Sequence, residues 1–83
     1  MGQLRILFFA SARQAAGRPE ATVPCEESGI GEAVFWERLI ADFPALASLR
    51  GSVRLARNCE YLAAGERFSP QDEAALIPPV SGG

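Results

Sequence analysis

From Ile30 onward the apolar residues fall at helical spacing, with Ala33, Trp36, Ile40 and Phe43 in line and Phe35 and Leu39 widening the stripe. Only here does the pattern last long enough for a full helix, so the fold must be built around one main helix. Ser28 is the candidate N-cap, Glu32 suits the positive end, and Pro44 disfavours helical geometry at Phe43, which sets the stop. Trp36 is assigned to the core. The chain has 83 residues, 48% of them hydrophobic and 22% charged, a mix that folds rather than staying disordered. That is about half of the ~150 residues usual for a domain, so two domains are excluded. A domain this small buries only about 60% of its unfolded surface. It has little interior for a deep active site, and an apolar surface offered to a partner is in keeping with its size.

Short runs flank the helix. Gln3 to Ala10 is rich in Ile, Leu and Phe and too short for an ordinary helix, so it reads as a strand. Leu4, Ile6 and Phe8 lie on one side, and Arg5, Leu7 and Phe9 on the other. Ser11 to Ala16 reads as a helical turn ended by Gly17 in a left-handed conformation. Ala21 to Cys25 is a second strand, which Pro24 confines to an edge or an end, and it can pair antiparallel with the first across a wide turn. Val53 to Asn58 is a third strand. Asn58-Cys59-Glu60 turns into Tyr61-Leu62, Ala64-Gly65-Glu66 gives another reversal and Ser69-Pro70-Gln71-Asp72 a further turn. The last strand is Glu73 to Ile77. The expected fold is therefore α+β: a mixed sheet of four to five strands with one main helix, the β-grasp (ubiquitin-like) pattern. Residues 1–77 form the domain and 78–83 an extended tail. No internal repeat or linker is present.

Several kinds of chemistry are excluded or disfavoured. Eight basic residues against ten acidic ones give a net charge of −2, which argues against affinity for nucleic acid backbones. Histidine is absent, which removes Ser-His, Cys-His and His-metal arrangements. Cys25 and Cys59 are too few for a four-ligand zinc site or a disulfide framework, so reduced thiols in a cytoplasmic protein are expected, with a single bridge left open. No metal site is expected. The apolar run Ile6 to Ala10, cut off on its N-terminal side by Arg5, is too short for a secretory or membrane segment. Gly29-Ile30-Gly31 lacks a third glycine and reads as a helix entry, and the adjacent carboxylates Glu26-Glu27 and Asp72-Glu73 read as solvated charge.

The tail is the exception. Pro78 and Pro79 favour an extended geometry, and six residues from Pro78 to Gly83 can reach ~20 Å at about 3.3 Å each. Gly82 and Gly83 lack a Cβ, so a narrow channel could close around them and bring the terminal carboxylate to a reactive centre. A frayed end is the competing reading.

The ending Ile77-Pro78-Pro79-Val80-Ser81-Gly82-Gly83 resembles that of the small-subunit family of molybdopterin synthase. So do Ile6 to Ala10 followed by Arg13, Ala56-Arg57-Asn58-Cys59-Glu60-Tyr61, and Ser69 to Glu73, in order and spacing across essentially the whole chain. Arg57 departs from the apolar residue expected in its strand. The resemblance implies a ubiquitin-like sulfur carrier with Gly83 as its reacting end. A separate ATP-dependent enzyme would adenylate the Gly83 carboxylate, and a sulfur donor would convert it to a thiocarboxylate. The large synthase subunit, in an expected heterotetramer, would receive the sulfur onto cyclic pyranopterin monophosphate. The chain itself would bind no cofactor, since it lacks a phosphate-binding loop and a visible general base; catalytic side chains are expected on the large subunit. A sulfur carrier for thiamine or another thio-metabolite, and a ubiquitin-like protein modifier, are the alternatives. Lysine is absent, through coding bias or, alternatively, to spare the body an attack by its own activated end. Strand parity proposes the partner interface: Phe9 and Ile77 as one apolar patch at the foot of the tail, joined by Tyr61 and rimmed by Arg13.

Overall fold

The computed structural model describes residues 2–79. Of the tail, Val80, Ser81, Gly82 and Gly83 lie outside the described residues. The chain runs β1 (Gly2–Phe8), α1 (Ala10–Ala16), β2 (Glu20–Cys25), α2 (Glu32–Asp42), a 3₁₀ helix (Pro44–Leu49), β3 (Arg54–Arg57), β4 (Glu60–Tyr61) and β5 (Glu73–Ile77). The strands form one sheet in the order β2-β1-β5-β3-β4. β1 runs antiparallel to β2 and parallel to β5, and β5 is antiparallel to β3, so the sheet is mixed. This is the β-grasp arrangement.

Parity on β1 is as the sequence predicts: Leu4, Ile6 and Phe8 are buried and Arg5 is exposed. Their face receives α2, whose Phe35, Trp36 and Leu39 are fully or almost fully buried. Ala33, placed in the stripe by spacing, is exposed, so the helix turns its Phe35-Trp36-Leu39 side inward. Phe35 stacks on Trp36 edge-on and on Phe68 at 4.9 Å, and Phe8 meets Phe43 edge-on at 5.6 Å. Each such aromatic pair adds about 0.5–1.5 kcal/mol beyond its area.

The helix stop at Phe43 holds, but its start does not. Ser28 is not the N-cap; Gly31 is. The amide and carbonyl of Ile30 exchange hydrogen bonds with Phe68 at 2.8 and 2.9 Å, a bridge that keeps the chain extended until α2 can begin. Gly29 makes this approach feasible: its φ is +90°, and a Cβ there would lie 2.7 Å from the Phe68 carbonyl oxygen. Gly17, at φ +75°, ends α1 as expected, and β2 takes the sheet edge that Pro24 requires.

Arg57, the charged residue in an apolar register, faces the core beside Ala74. Its guanidinium donates to the Arg67 carbonyl at 2.8 Å and to Glu66 at 3.0 Å. Its stem covers apolar surface while its head ties down the loop before Phe68.

Candidate functional site

The other face of the sheet carries the site. Pairing aligns Leu7 with Ala75, Ala75 with Ala56 and Ala56 with Tyr61, one row across four strands. The two central positions are alanines, so the sheet surface dips between larger side chains. The result is a groove of about 330 Å³ whose lining includes Leu7, Phe9, Ala56, Tyr61, Ala75 and Ile77. That volume is at the small end of ligand sites. The groove is open and mostly apolar, better suited to an inserted side chain than to a cofactor. Glu73 and Cys59 add polarity at its borders.

Among the described residues, Phe9 and Tyr61 are the large apolar side chains left exposed, at 47% and 53%. Phe9 stays extended at φ −124° and ψ 150°, prolonging the β1 parity by one residue so that its ring shares the face of Leu7. Ala10 then turns at φ +49°, and the Phe9 carbonyl accepts from the Ala12 amide at 3.0 Å, starting α1. Since Phe8 is level with Leu76, Phe9 stands beside Ile77. Tyr61 enters from the far side through the Asn58-Cys59 turn, where both residues have positive φ, 52° and 71°. Asn58 anchors that turn to β5: its side chain accepts from the Glu73 amide and donates to Asp72, both at 2.9 Å. The face has a charged end and an apolar end. At the first, Arg5 pairs with Glu20 at 2.7 Å and Glu73 at 3.2 Å. At the second, Ile77 leads into buried Pro78 and exposed Pro79, so the chain leaves the sheet beside Phe9 and Ile77.

A family model described as the ThiS family matches residues 6–83, nearly the whole chain. The chain belongs to the ThiS family. The molybdopterin synthase sulfur carrier subunit of Arabidopsis thaliana is 37% identical over 98% of this chain and 83% of its own length. The Homo sapiens subunit of the same name is 31% identical over 98% and 94%. Among solved structures, SAMP1 from Haloferax volcanii superposes with a TM-score of 0.83 at 29% identity, covering 99% of this chain and all of that one.

Within this ThiS-family chain, three of the four sequence-derived interface residues come together: Phe9, Tyr61 and Ile77 line one groove. Arg13 does not join that lining. It sits on α1, beside Arg18, Gln14 and Pro19 over a separate shallow hollow, because the turn at Ala10 swings α1 away from the sheet face. Sequence reasoning passed over Ala56 and Ala75. A small residue at the centre of each of two neighbouring strands is the signal, readable only once their register is known.

The cysteines differ in kind. Cys25 is buried with its sulfur 3.8 Å from the Phe68 carbonyl oxygen, and burial first, then the neighbouring Glu26 charge, pushes its thiol pKa up. Cys59 is exposed at the groove border. Among the described residues no cluster of three or more His, Cys, Asp or Glu could hold a metal, and no helix is long and apolar enough to cross a membrane.

Proposed function

We propose that the chain is the sulfur-carrier small subunit of a molybdopterin synthase, working in the cytoplasm with Gly83 as its reacting end. The observation that carries this reading is the exit of β5 into Pro78-Pro79 at the apolar end of the groove, in a chain whose family match continues to residue 83. The groove docks the body beside the point where the tail begins. A carboxylate is a poor electrophile until one oxygen becomes a leaving group. A separate adenylating enzyme supplies that step: the Gly83 carboxylate attacks ATP, pyrophosphate leaves, and a sulfur nucleophile then displaces AMP to give the thiocarboxylate. The chain holds neither the ATP nor a cofactor of its own. Its partners are that enzyme and the large synthase subunit, in a heterotetramer, where the sulfur passes to cyclic pyranopterin monophosphate and the large subunit supplies the catalytic side chains. Pro78, Pro79, Val80, Ser81 and Gly82 serve as the narrow arm, and Arg13, on its separate hollow, is left to a contact beyond the groove.

A second reading, a protein modifier that joins Gly83 to a lysine amine of a target, is favoured by the likeness to SAMP1, a protein called a small archaeal modifier in the solved structures. Intact-mass spectrometry after incubation with adenylating enzyme, ATP and a sulfur source separates the two. Sulfur in place of one oxygen on Gly83 supports the carrier; sulfur on Cys25 or Cys59 that alone supports turnover overturns it; a conjugate to another protein supports the modifier. Deleting Gly83, or adding one residue after it, should abolish sulfur transfer, because the reacting carbon moves ~3.3 Å where about 1 Å already costs a hundredfold.

A further inference from the structure

Beside the groove, the Arg54 guanidinium carbon sits 3.7 Å from the centroid of the Tyr61 ring. The pairing of β3 with β5 sets Arg54 opposite Ile77, the last strand residue before the tail. Four of the other seven arginines are spent inside the molecule: Arg5, Arg38 and Arg57 on carboxylates, Arg67 on the Gly29 carbonyl. Among the described residues Arg54 pairs with no carboxylate and its side chain donates no hydrogen bond.

We infer that Arg54 is a specificity-determining docking residue that receives a carboxylate side chain of the large synthase subunit at the rim of the groove. The inference rests on the sulfur-carrier reading above. A guanidinium lying on a ring uses its flat face for the stack and keeps its N–H donors in the plane, pointing around the ring edge. A partner seated on Phe9, Tyr61 and Ile77 brings its own surface to that edge and strips water from those donors. An uncompensated cation there opposes docking, so the surface that fits carries an acid, whose two oxygens match the planar fork. The stack on Tyr61 favours this placement of Arg54 in the free protein, which lowers the side-chain freedom lost on docking.

Wild type, R54A, R54K and R54E are titrated calorimetrically into the large synthase subunit at about 0.05 M and about 0.5 M salt. At low salt R54A should weaken binding about fivefold, the scale of an exposed ion pair. R54K should recover part of that loss, because it keeps the charge without the fork, and R54E should bind more weakly than R54A. At high salt the gap between wild type and R54A should shrink, which loss of packing alone would not produce. Unchanged unfolding midpoints show that all variants are folded. Wild-type affinity in R54A, or a loss indifferent to salt, overturns the role of Arg54 and leaves the carrier reading standing. No binding by wild type itself overturns both.

Discussion

The two faces of the sheet are made by alternate residues of the same strands, yet they differ in what their side chains are for. On the inner face Leu4, Ile6, Val23, Ala74 and Leu76 are wholly buried, and α2 with its Phe35 and Trp36 completes the seal. On the outer face Leu7, Ala75 and Ile77 are half-buried, Phe9 and Tyr61 are exposed, and no element of the described chain covers them. Polarity does not separate the faces, since both are apolar toward the tail end. The presence or absence of a helix does. An apolar strand surface left open in so small a domain carries a cost in solubility, and that cost makes sense if another protein closes it.

The largest test of this contrast exchanges like for like between the faces. Ile6→Ala removes a fully buried side chain and should cost about 2–5 kcal/mol. An 83-residue domain has roughly 0.05–0.15 kcal/mol of stability per residue in all, so that variant should unfold at a much lower denaturant concentration. Phe9→Ala should leave the unfolding midpoint almost in place while weakening the large-subunit complex by about 2 kcal/mol, as for a central interface anchor. Ile77→Ala should behave likewise. Should Phe9→Ala destabilise the free protein as much as Ile6→Ala, the outer face is part of the core and the division fails.

A smaller effect sharpens the link between the groove and the turn that feeds β5. Burial alone would raise the Asp72 pKa, but the Ser69 amide at 2.8 Å, the Asn58 side chain and the Ser69 hydroxyl bring it below the ordinary aspartate value. A depressed pKa contributes stability that is present above the unfolded-state value and is lost as pH falls through the folded one. Asp72→Ala should therefore cost about 1 kcal/mol at neutral pH, the worth of hydrogen bonds in a partly exposed turn. Denaturant titrations repeated at falling pH should bring variant and wild type together in acid. A gap that persists in acid would assign the loss to packing.

Much of this contrast was legible in the sequence, because alternation along a strand and spacing along a helix are local facts. Leu4, Ile6 and Phe8 declared the inner face, Pro44 the end of α2, and Gly17 the end of α1. Ser28 misled because the Ile30–Phe68 bridge that delays the helix joins residues far apart in the chain. The 3₁₀ helix after Pro44 and the brevity of β4 likewise depend on what packs against them. The site divides the same way. Phe9, Tyr61 and Ile77 announce themselves as apolar residues on the wrong side of strands. The alanine floor requires the neighbours β1-β5-β3, which no local pattern encodes, whereas the Arg54–Tyr61 stack needs only the register of the β3–β4 hairpin. Arg13 was displaced by a backbone feature, the positive φ of Ala10, at a residue type that gives no warning of it.

The smallest predicted effect runs opposite to the others. Asn58 and Cys59 occupy a two-residue hairpin turn with positive φ at both positions, where Asn-Gly is the preferred pair. A side-chain residue held in that region costs about 1–2 kcal/mol, and glycine escapes it while giving up roughly 0.5–1 kcal/mol of chain entropy. Cys59→Gly should thus stabilise the free protein by about 0.5 kcal/mol, readable as a rise in the denaturation midpoint. The same change removes a side chain from the groove border. If the outer face is shaped for a partner, the more stable variant should bind the large subunit no better than wild type, because the gain comes from the turn backbone and adds no contact at the groove. A gain in both would mean that the hairpin strain serves nothing at the groove.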